Sequence, residues 1–311
     1  PVGTAREVAR VVQKANPSAD VDVASNPEFL REGSAIGDFM RPDRVVIGVE
    51  SDRAEAMLRE LYRPLNLIEA PLLVTDLESA ELIKYAANAF LATKISFINE
   101  ISQLCEKTGA DVNAVAKGMG MDKRIGGKFL HAGPGYGGSC FPKDTLALIR
   151  IAQEHGASSR IVEAVTEVNA SQKARMVSKI RDALGGSEAD KVIAVLGLTF
   201  KPETDDMRDA PALAILPALA DRGAIIRAHD PEGIEEAKSL LPESIEYVDG
   251  IDDAVKEADA VVLMTEWNQY RGMSLRAVRE QMRGDVFVDL RNVYEPRTME
   301  QAGFTYHGVG R

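Results

Sequence analysis

Lys191-Val-Ile-Ala-Val-Leu196 is a short apolar, β-branched run that feeds directly into Gly197-Leu-Thr-Phe-Lys201. A run of that length bounded by glycine reads as a strand followed by a turn. Downstream the pattern recurs in Ala224-Ile-Ile-Arg-Ala-His229, Ala260-Val-Val-Leu-Met264 and Val286-Phe-Val-Asp289, with a candidate edge strand at Phe304-Thr-Tyr-His307. Helical stretches at 210–222, 232–240, 251–257 and 275–282 separate them. Such alternation implies a doubly wound parallel sheet of about five strands, whose ligands bind at the carboxyl ends of the strands. Lys201, just past the first of these strands, is placed to meet a phosphate. No G-x-G-x-x-G directly follows one of these strand runs to open a helix, so a dinucleotide site of the usual form is not shown.

Upstream, helices are expected over 159–183, 142–155 and 111–119. Before them lies a much longer one. Thr75-Asp-Leu-Glu78 matches a capping box, and apolar residues recur at Ile83, Ala87, Phe90, Leu91, Ile95, Ile98, Ile101 and Cys105. Gly109 suits a left-handed cap at its end. Roughly 30 residues at 1.5 Å rise make a rod of about 45–50 Å, long enough to span between domains or form a dimer core. Ahead of it, helices at 5–15 and 53–62 alternate with strand-like Val21-Asp-Val-Ala-Ser25, Arg44-Val-Val-Ile-Gly48 and Leu72-Leu-Val-Thr75. Three strands are few for a complete doubly wound domain, so this part reads as the tail of something larger.

The totals narrow the function classes. The chain has 311 residues, 45% of them hydrophobic and 27% charged, which is ordinary for a globular protein of two domains or two plus a helical connector. A net charge of −11 argues against nonspecific nucleic-acid binding. No apolar stretch reads as a membrane span and none as a signal peptide. Two cysteines, Cys105 and Cys140, form neither a disulfide framework nor a metal-ligand spacing, a usage that fits a reducing cytoplasm. Cys105 ends an apolar helical run and is expected in the core.

Cys140 has a different setting, in Gly133-Pro-Gly-Tyr-Gly-Gly-Ser-Cys-Phe-Pro-Lys-Asp144. The glycines let backbone approach a ligand closely. Pro142 suits the start of a helix, which puts Cys140 ahead of a helix N-terminus, where the dipole favours an anionic sulfur. Lys143 is placed to help, and Asp144 lies about one turn on, a workable place for an acid or base. The plain alternative is a glycine turn capped by a small residue. Lys84 and Asn88 share a face of the long helix; they form either a solvated stripe or a site in which Lys84 stabilises an oxyanion. Asn26-Pro-Glu28-Phe-Leu-Arg-Glu32-Gly follows a strand-like segment, and its two carboxylates are either functional or ordinary helix-start acids. The four histidines are scattered and form no triad or metal cluster.

Together these stretches resemble the UDP-glucose/GDP-mannose dehydrogenase family. The resemblance rests on Ser25-Asn-Pro-Glu-Phe-Leu-Arg-Glu-Gly33, Pro42-Asp-Arg-Val-Val-Ile-Gly48, Glu81-Leu-Ile-Lys-Tyr-Ala-Ala-Asn-Ala-Phe90, Gly135-Tyr-Gly-Gly-Ser-Cys-Phe-Pro-Lys-Asp144 and Gly197-Leu-Thr-Phe-Lys-Pro-Glu-Thr-Asp-Asp-Met-Arg208. Met121-Asp-Lys-Arg-Ile-Gly126 and the Cys140 loop look closer to the UDP-glucose members than to the GDP-mannose members.

The resemblance implies an α/β chain in three parts. Residues 1–76 would be the C-terminal part of an NAD-binding Rossmann-like domain, 77–185 a central helical dimerisation region carrying the Cys loop, and 186–311 a doubly wound UDP-sugar-binding domain. Most of the first domain, with its glycine fingerprint, would lie outside these residues. It implies NAD as cofactor, no metal, a UDP-glucose substrate and a UDP-glucuronate product used for polysaccharide precursors, in a cytoplasmic homodimer or higher homo-oligomer. By the same resemblance Cys140 is the nucleophile, forming a thiohemiacetal and then a thioester. Lys84 and Asn88 stabilise oxyanion charge, and Asp144 and Glu32 order or activate water with Glu28 close by. Phe29, Leu30, Lys84, the Phe129-to-Gly137 loop, Phe200, Lys201, Arg291 and a partner's Arg124 bind the nucleotide sugar. Glu32, Lys143 and Arg208 face the cofactor, Arg208 at the pyrophosphate.

Three other readings remain at this stage. The same chemistry could act on GDP-mannose or a UDP-amino sugar. The chain could be a sugar-nucleotide-binding fragment without catalysis. A cysteine hydrolase or acyltransferase would need a histidine partner, and none stands near Cys140 in sequence.

Overall fold

The computed structural model describes residues 1–68 and 70–311, which divide into two compact units, 1–90 with 144–159 and 91–143 with 160–311.

In the first unit, α1 (Thr4–Ala15) and α2 (Ala35–Met40) precede β1 (Val45–Gly48), α3 (Asp52–Tyr62) and β2 (Leu72–Thr75), and the first part of α4 (Leu77–Thr108) follows. β1 and β2 pair in parallel, Val45 opposite Leu72 and Gly48 opposite Thr75, around a small core of Val45, Ile47 and Leu65. Gly48 is glycine for lack of room: a Cβ there would lie 2.7 Å from the Ala80 Cβ. Gly3, at the start of α1, offers no side-chain cap. Glu81 of α4 supplies one instead, its carboxylate accepting the Gly3 N–H at 2.6 Å and the Ala5 N–H at 2.8 Å.

Two expectations are corrected here. Val21–Ser25 is not a strand; only Ser25 bridges, antiparallel, to Gly48. Val21 is exposed, and Asp20 and Asp22 turn outward to Arg53, so the segment buries no apolar face that would hold it in a sheet. Second, α4 is capped by Asp76 rather than by a Thr75–Glu78 box. The Asp76 carboxylate accepts the Ser79 N–H at 2.7 Å and its hydroxyl at 2.8 Å, because Thr75 still belongs to β2. The helix ends as read, with Gly109 at a φ of 74°.

The second unit holds the rest of α4, α5 (Val112–Gly120), the start of α6 (Phe141–Glu154), α7 (Arg160–Ala183) and a sheet of six strands. These are β3 (Val192–Leu196), β4 (Ile225–His229), β5 (Glu246–Tyr247), β6 (Ala260–Leu263), β7 (Val286–Asp289) and β8 (Thr305–Gly308), all parallel in the order β5-β4-β3-β6-β7-β8. The sixth strand, β5, was not read from the sequence; two residues beside β4 carry too short a pattern to register. Alternate residues of β3 enter two cores. Ile193 and Val195 join one with Met176, Ile180 and Leu216, and Val192, Ala194 and Leu196 join another with Tyr270, Phe287 and Val255. Cys105 lies in the first core, buried as expected. The strand order reverses between β3 and β6, so the crevice for a ligand opens where Gly197–Lys201 and Met264–Trp267 leave the sheet.

Candidate active site

The sequence-predicted residues fall into two groups, one in each unit. In the first unit, Lys84 of α4 is largely buried and donates to the Glu28 carbonyl at 2.5 Å and to the Glu28 carboxylate at 3.2 Å. The other Glu28 oxygen accepts the Leu30 N–H at 2.6 Å, and the Lys84 ammonium stands 5.5 Å from the Phe29 ring centroid, with Arg44 stacked on the same ring at 3.7 Å. One turn along α4, the Asn88 amide donates to Asp144 Oδ2 at 2.6 Å. Asn88 is 8% exposed and Asp144 only 1%. Lys84 and Asn88 are therefore anchored groups rather than a solvated stripe, and the chain brings Lys84 to Glu28 and Asn88 to Asp144. Glu32 is half-buried in the loop that follows Glu28.

In the second unit the glycine loop is held by its backbone. Asn99 of α4 accepts the Gly133 N–H at 2.9 Å, and Gln172 of α7 donates to the Gly133 carbonyl at 2.7 Å. Asn169 both accepts the Tyr136 N–H at 2.8 Å and donates to its carbonyl at 3.0 Å. Such bonds, each worth about 0.5–1.5 kcal/mol, replace the ladder bonds the loop lacks. Gly138 donates to the Arg208 carbonyl at 2.7 Å. A Cβ on Gly137 would sit 2.4 Å from the Asp209 carbonyl oxygen, and one on Gly138, which has a φ of 81°, would sit 2.7 Å from the Phe200 ring. Glycine is thus dictated at both positions by the 200–209 segment pressed against the loop. Phe141 packs edge-on against Phe129 and Tyr136. The loop ends at half-buried Cys140, its Sγ 3.6 Å from the Ser139 Oγ, directly ahead of α6, and Lys143 is exposed on the first turn of that helix.

At the switch point the Arg291 guanidinium donates to the Met264 carbonyl at 2.7 Å and the Phe200 carbonyl at 2.8 Å, and pairs with Glu266 at 3.1 Å. Its own turn is fixed by buried Asp289, which accepts the Arg291 and Tyr294 N–H groups and the Tyr306 hydroxyl. Burial pushes the Asp289 carboxyl above its ordinary value. Phe200, Lys201 and Arg291 are thereby brought together, with the Lys201 ammonium 5.1 Å from the Phe200 ring centroid. A cavity of about 600 Å3 beside Arg291 is lined also by Lys117, Leu130, His131 and Arg271, and the two arginines and the lysine suit it to an anionic ligand. The Arg208 side chain is 65% exposed and is oriented by Asp206 through bonds of 2.8 and 3.0 Å. Arg124 lies on an exposed turn, held only to Asp122 at 2.6 Å among the described residues.

Sequence reading missed Asn99, Asn169, Gln172 and Lys173, which hold the loop and the adjoining Asp209 carbonyl. The signal was available for three of them: Asn169, Gln172 and Lys173 fall at i, i+3 and i+4 of α7, one helical face. Burial lowers the Lys173 ammonium below its usual value.

The chain matches the UDP-glucose/GDP-mannose dehydrogenase family in three domains: the NAD binding domain over residues 1–66, the central domain over 78–171 and the UDP binding domain over 194–296. The NAD binding domain is therefore represented here, which qualifies the expectation of a chain lacking most of it. A UDP-glucose 6-dehydrogenase of Rhizobium meliloti (strain 1021) is 54% identical over the whole chain, which spans 71% of that protein. The structure of a UDP-glucose dehydrogenase from Pyrobaculum islandicum is 41% identical, covers all of this chain and 68% of its own, and superposes with a TM-score of 0.89. A UDP-D-ManNAc dehydrogenase from Pyrococcus horikoshii covers all of this chain and 71% of its own, with a TM-score of 0.85 at 25% identity.

Proposed function

Because the chain belongs to the UDP-glucose/GDP-mannose dehydrogenase family, we propose that it oxidises UDP-glucose to UDP-glucuronate in two NAD-dependent steps joined by a covalent intermediate on Cys140. The observation that carries this reading is a backbone-clamped glycine loop ending in a half-buried thiol directly ahead of a helix.

Residues 186–311 form the nucleotide-sugar domain, 77–185 the central region and 1–76 the NAD-binding part. Phe200, Lys201 and Arg291 take the nucleotide at the switch point, with the Phe129-to-Gly137 loop, Phe29 and Leu30 completing the substrate site. Lys84 and Asn88 stabilise the alkoxide that forms when the primary alcohol loses its proton. The Cys140 sulfur adds to the resulting aldehyde carbon, forming a C–S bond and a thiohemiacetal whose oxygen takes up a proton. A second oxidation gives the thioester. Asp144 and Glu32, with Glu28 nearby, orient and deprotonate the water that cleaves the C–S bond and returns the thiol.

NAD, when bound, supplies the hydride acceptor for both oxidations. Arg208 fits that role at the pyrophosphate, since an exposed guanidinium held by a carboxylate keeps its planar donor fork presented; Lys143 and Glu32 would lie alongside. Along α4, exposed Phe90, Phe97 and Leu104 recur at seven-residue spacing, the pattern of a helix seam. That seam supports a homodimer or higher homo-oligomer, in which exposed Arg124 reaches the partner's substrate. Among the described residues no helix is long and apolar enough to cross a membrane. The two free thiols fit a cytoplasmic placement.

The 41% identity to a UDP-glucose dehydrogenase, against 25% to a UDP-D-ManNAc dehydrogenase, favours UDP-glucose over an amino sugar. Initial rates with UDP-glucose, GDP-mannose and UDP-N-acetylmannosamine test it. Two NADH per UDP-glucuronate is the expected stoichiometry; binding of UDP-glucose without NAD reduction would leave a binding module instead.

A further inference from the structure

The loop that carries Phe200 and Lys201 leaves β3 with little regular hydrogen bonding of its own, yet it must hold both side chains at a nucleotide. One carboxylate organises it. Asp230, the residue after β4, is 2% exposed. Its Oδ2 accepts the Leu198 N–H at 2.7 Å, the Thr199 N–H at 3.2 Å and the Trp267 indole N–H at 3.3 Å. Its Oδ1 accepts the Glu232 N–H at 3.0 Å and the Gly233 N–H at 2.8 Å. Five N–H donors from the turns after β3, β4 and β6 therefore converge on one side chain.

The neighbours complete the lock. The Thr199 hydroxyl donates to the Lys201 carbonyl at 3.0 Å, and the Thr265 hydroxyl donates to the Thr199 carbonyl at 2.5 Å. Gly197, at a φ of 94°, has no room for a Cβ, which would lie 2.4 Å from the Thr265 Cβ. From the far side Arg291 holds the Phe200 carbonyl. The donors around Asp230 leave no place for an amide, which keeps one acceptor oxygen and turns two N–H groups toward N–H groups.

Resting on the reading of this crevice as the nucleotide-sugar site, we propose that Asp230 is a positioning residue that fixes the 198–201 loop and with it the affinity for the uridine diphosphate moiety. It touches no reacting atom. Its loss is felt in binding and leaves the chemical step at Cys140 intact.

Trp267 is the only tryptophan in the chain and is bonded to Asp230, so its emission reports on this junction. The test compares wild type with Asp230→Asn and Trp267→Phe. It uses calorimetric titration with UDP, tryptophan emission during the same titration of wild type and Asp230→Asn, melting curves, and steady-state rates with UDP-glucose and NAD. For Asp230→Asn we expect UDP binding and the KM for UDP-glucose to weaken about tenfold or more, the scale of charged buried hydrogen bonds lost. We also expect kcat within about twofold of wild type, because only binding has changed, an unchanged KM for NAD and a red-shifted Trp267 emission. A role confined to stability would lower the melting temperature and the active fraction while leaving KM and the UDP affinity alone, and that result overturns the proposal. Should Asp230→Asn fail to fold, Trp267→Phe decides: losing one donor is expected to weaken UDP about threefold, and wild-type affinity overturns the proposal. A wild-type protein that binds no UDP removes the functional reading itself, an outcome separate from both.

Discussion

Gly137→Ala probes the closest approach in the glycine loop. The added Cβ would lie 2.4 Å from the Asp209 carbonyl oxygen, 2.9 Å from its carbon and 3.2 Å from the Ala210 Cα. A carbon–oxygen contact settles near about 3.3 Å, so backbone on one side or the other must retreat by roughly 1 Å. Neither side yields easily. Gly138 donates to the Arg208 carbonyl, Lys173 donates to the Asp209 carbonyl, and Asn169 holds Tyr136 by two bonds. Overpacking of this kind costs about 1–3 kcal/mol, and each kcal/mol lowers the melting temperature by roughly 2–4 °C in a protein of this general size. The displaced loop ends at Cys140, and a misplacement near 1 Å at reacting atoms costs about 100-fold in rate. The expected result is kcat down about 100-fold alongside that loss of melting temperature. Gly127→Ala is the control, since its Cβ would meet nothing nearer than 4.0 Å. A Gly137→Ala protein with full kcat and an unchanged melting temperature would refute the packing argument.

Asn88→Asp places a second carboxylate where an amide now donates to buried Asp144 at 2.6 Å. Two carboxylates at that range share a proton, so activity is expected to be low at neutral pH and to recover partly as pH falls; a pH–rate profile unchanged from wild type would contradict the pairing. Burial pushes both His229 and His307 below the ordinary 6.5. The unfolded chain then binds protons that the folded chain refuses, so stability is full above about pH 6.5 and declines as pH falls below it. Urea midpoints at pH 7.5, 6.5 and 5.5 are expected to drop at the acid end, and less so in His307→Asn. Cys105 is buried and its thiol is pushed up by burial, whereas Cys140 is half-buried. A thiol reagent is therefore expected to modify one cysteine rapidly in the native protein and two in denaturant; two rapid equivalents would place Cys105 wrongly.

The sheet of the second unit was legible because each strand carries its own apolar run and each turn its glycine or acid. Strands 192–196 and 286–289 follow from residues that are buried almost without exception. The Val21–Ser25 run failed for the complementary reason: alternation makes a strand only if one face has a core to enter, and Asp20, Asp22 and Arg53 keep this one in solvent. Cys140, Lys84, Asn88 and Asp144 stood out as candidates because residue type and helical spacing are local features of the sequence. Asn99, Asn169 and Asp230 could not, because their work is to bond backbone groups far away in sequence, and nothing local to an asparagine or a strand-end aspartate says which carbonyl or N–H it will meet.

The central claim is that the Cys140 sulfur holds the sugar covalently between the two oxidations. Acid-quenching the enzyme during turnover of isotopically labelled UDP-glucose and NAD, then mapping the label by peptide mass spectrometry, measures this directly. The label is expected on the peptide containing Cys140 in the wild type and on none in Cys140→Ser, which forms no UDP-glucuronate. UDP-glucuronate made by Cys140→Ser at the wild-type rate, or label carried on another residue, would contradict the account.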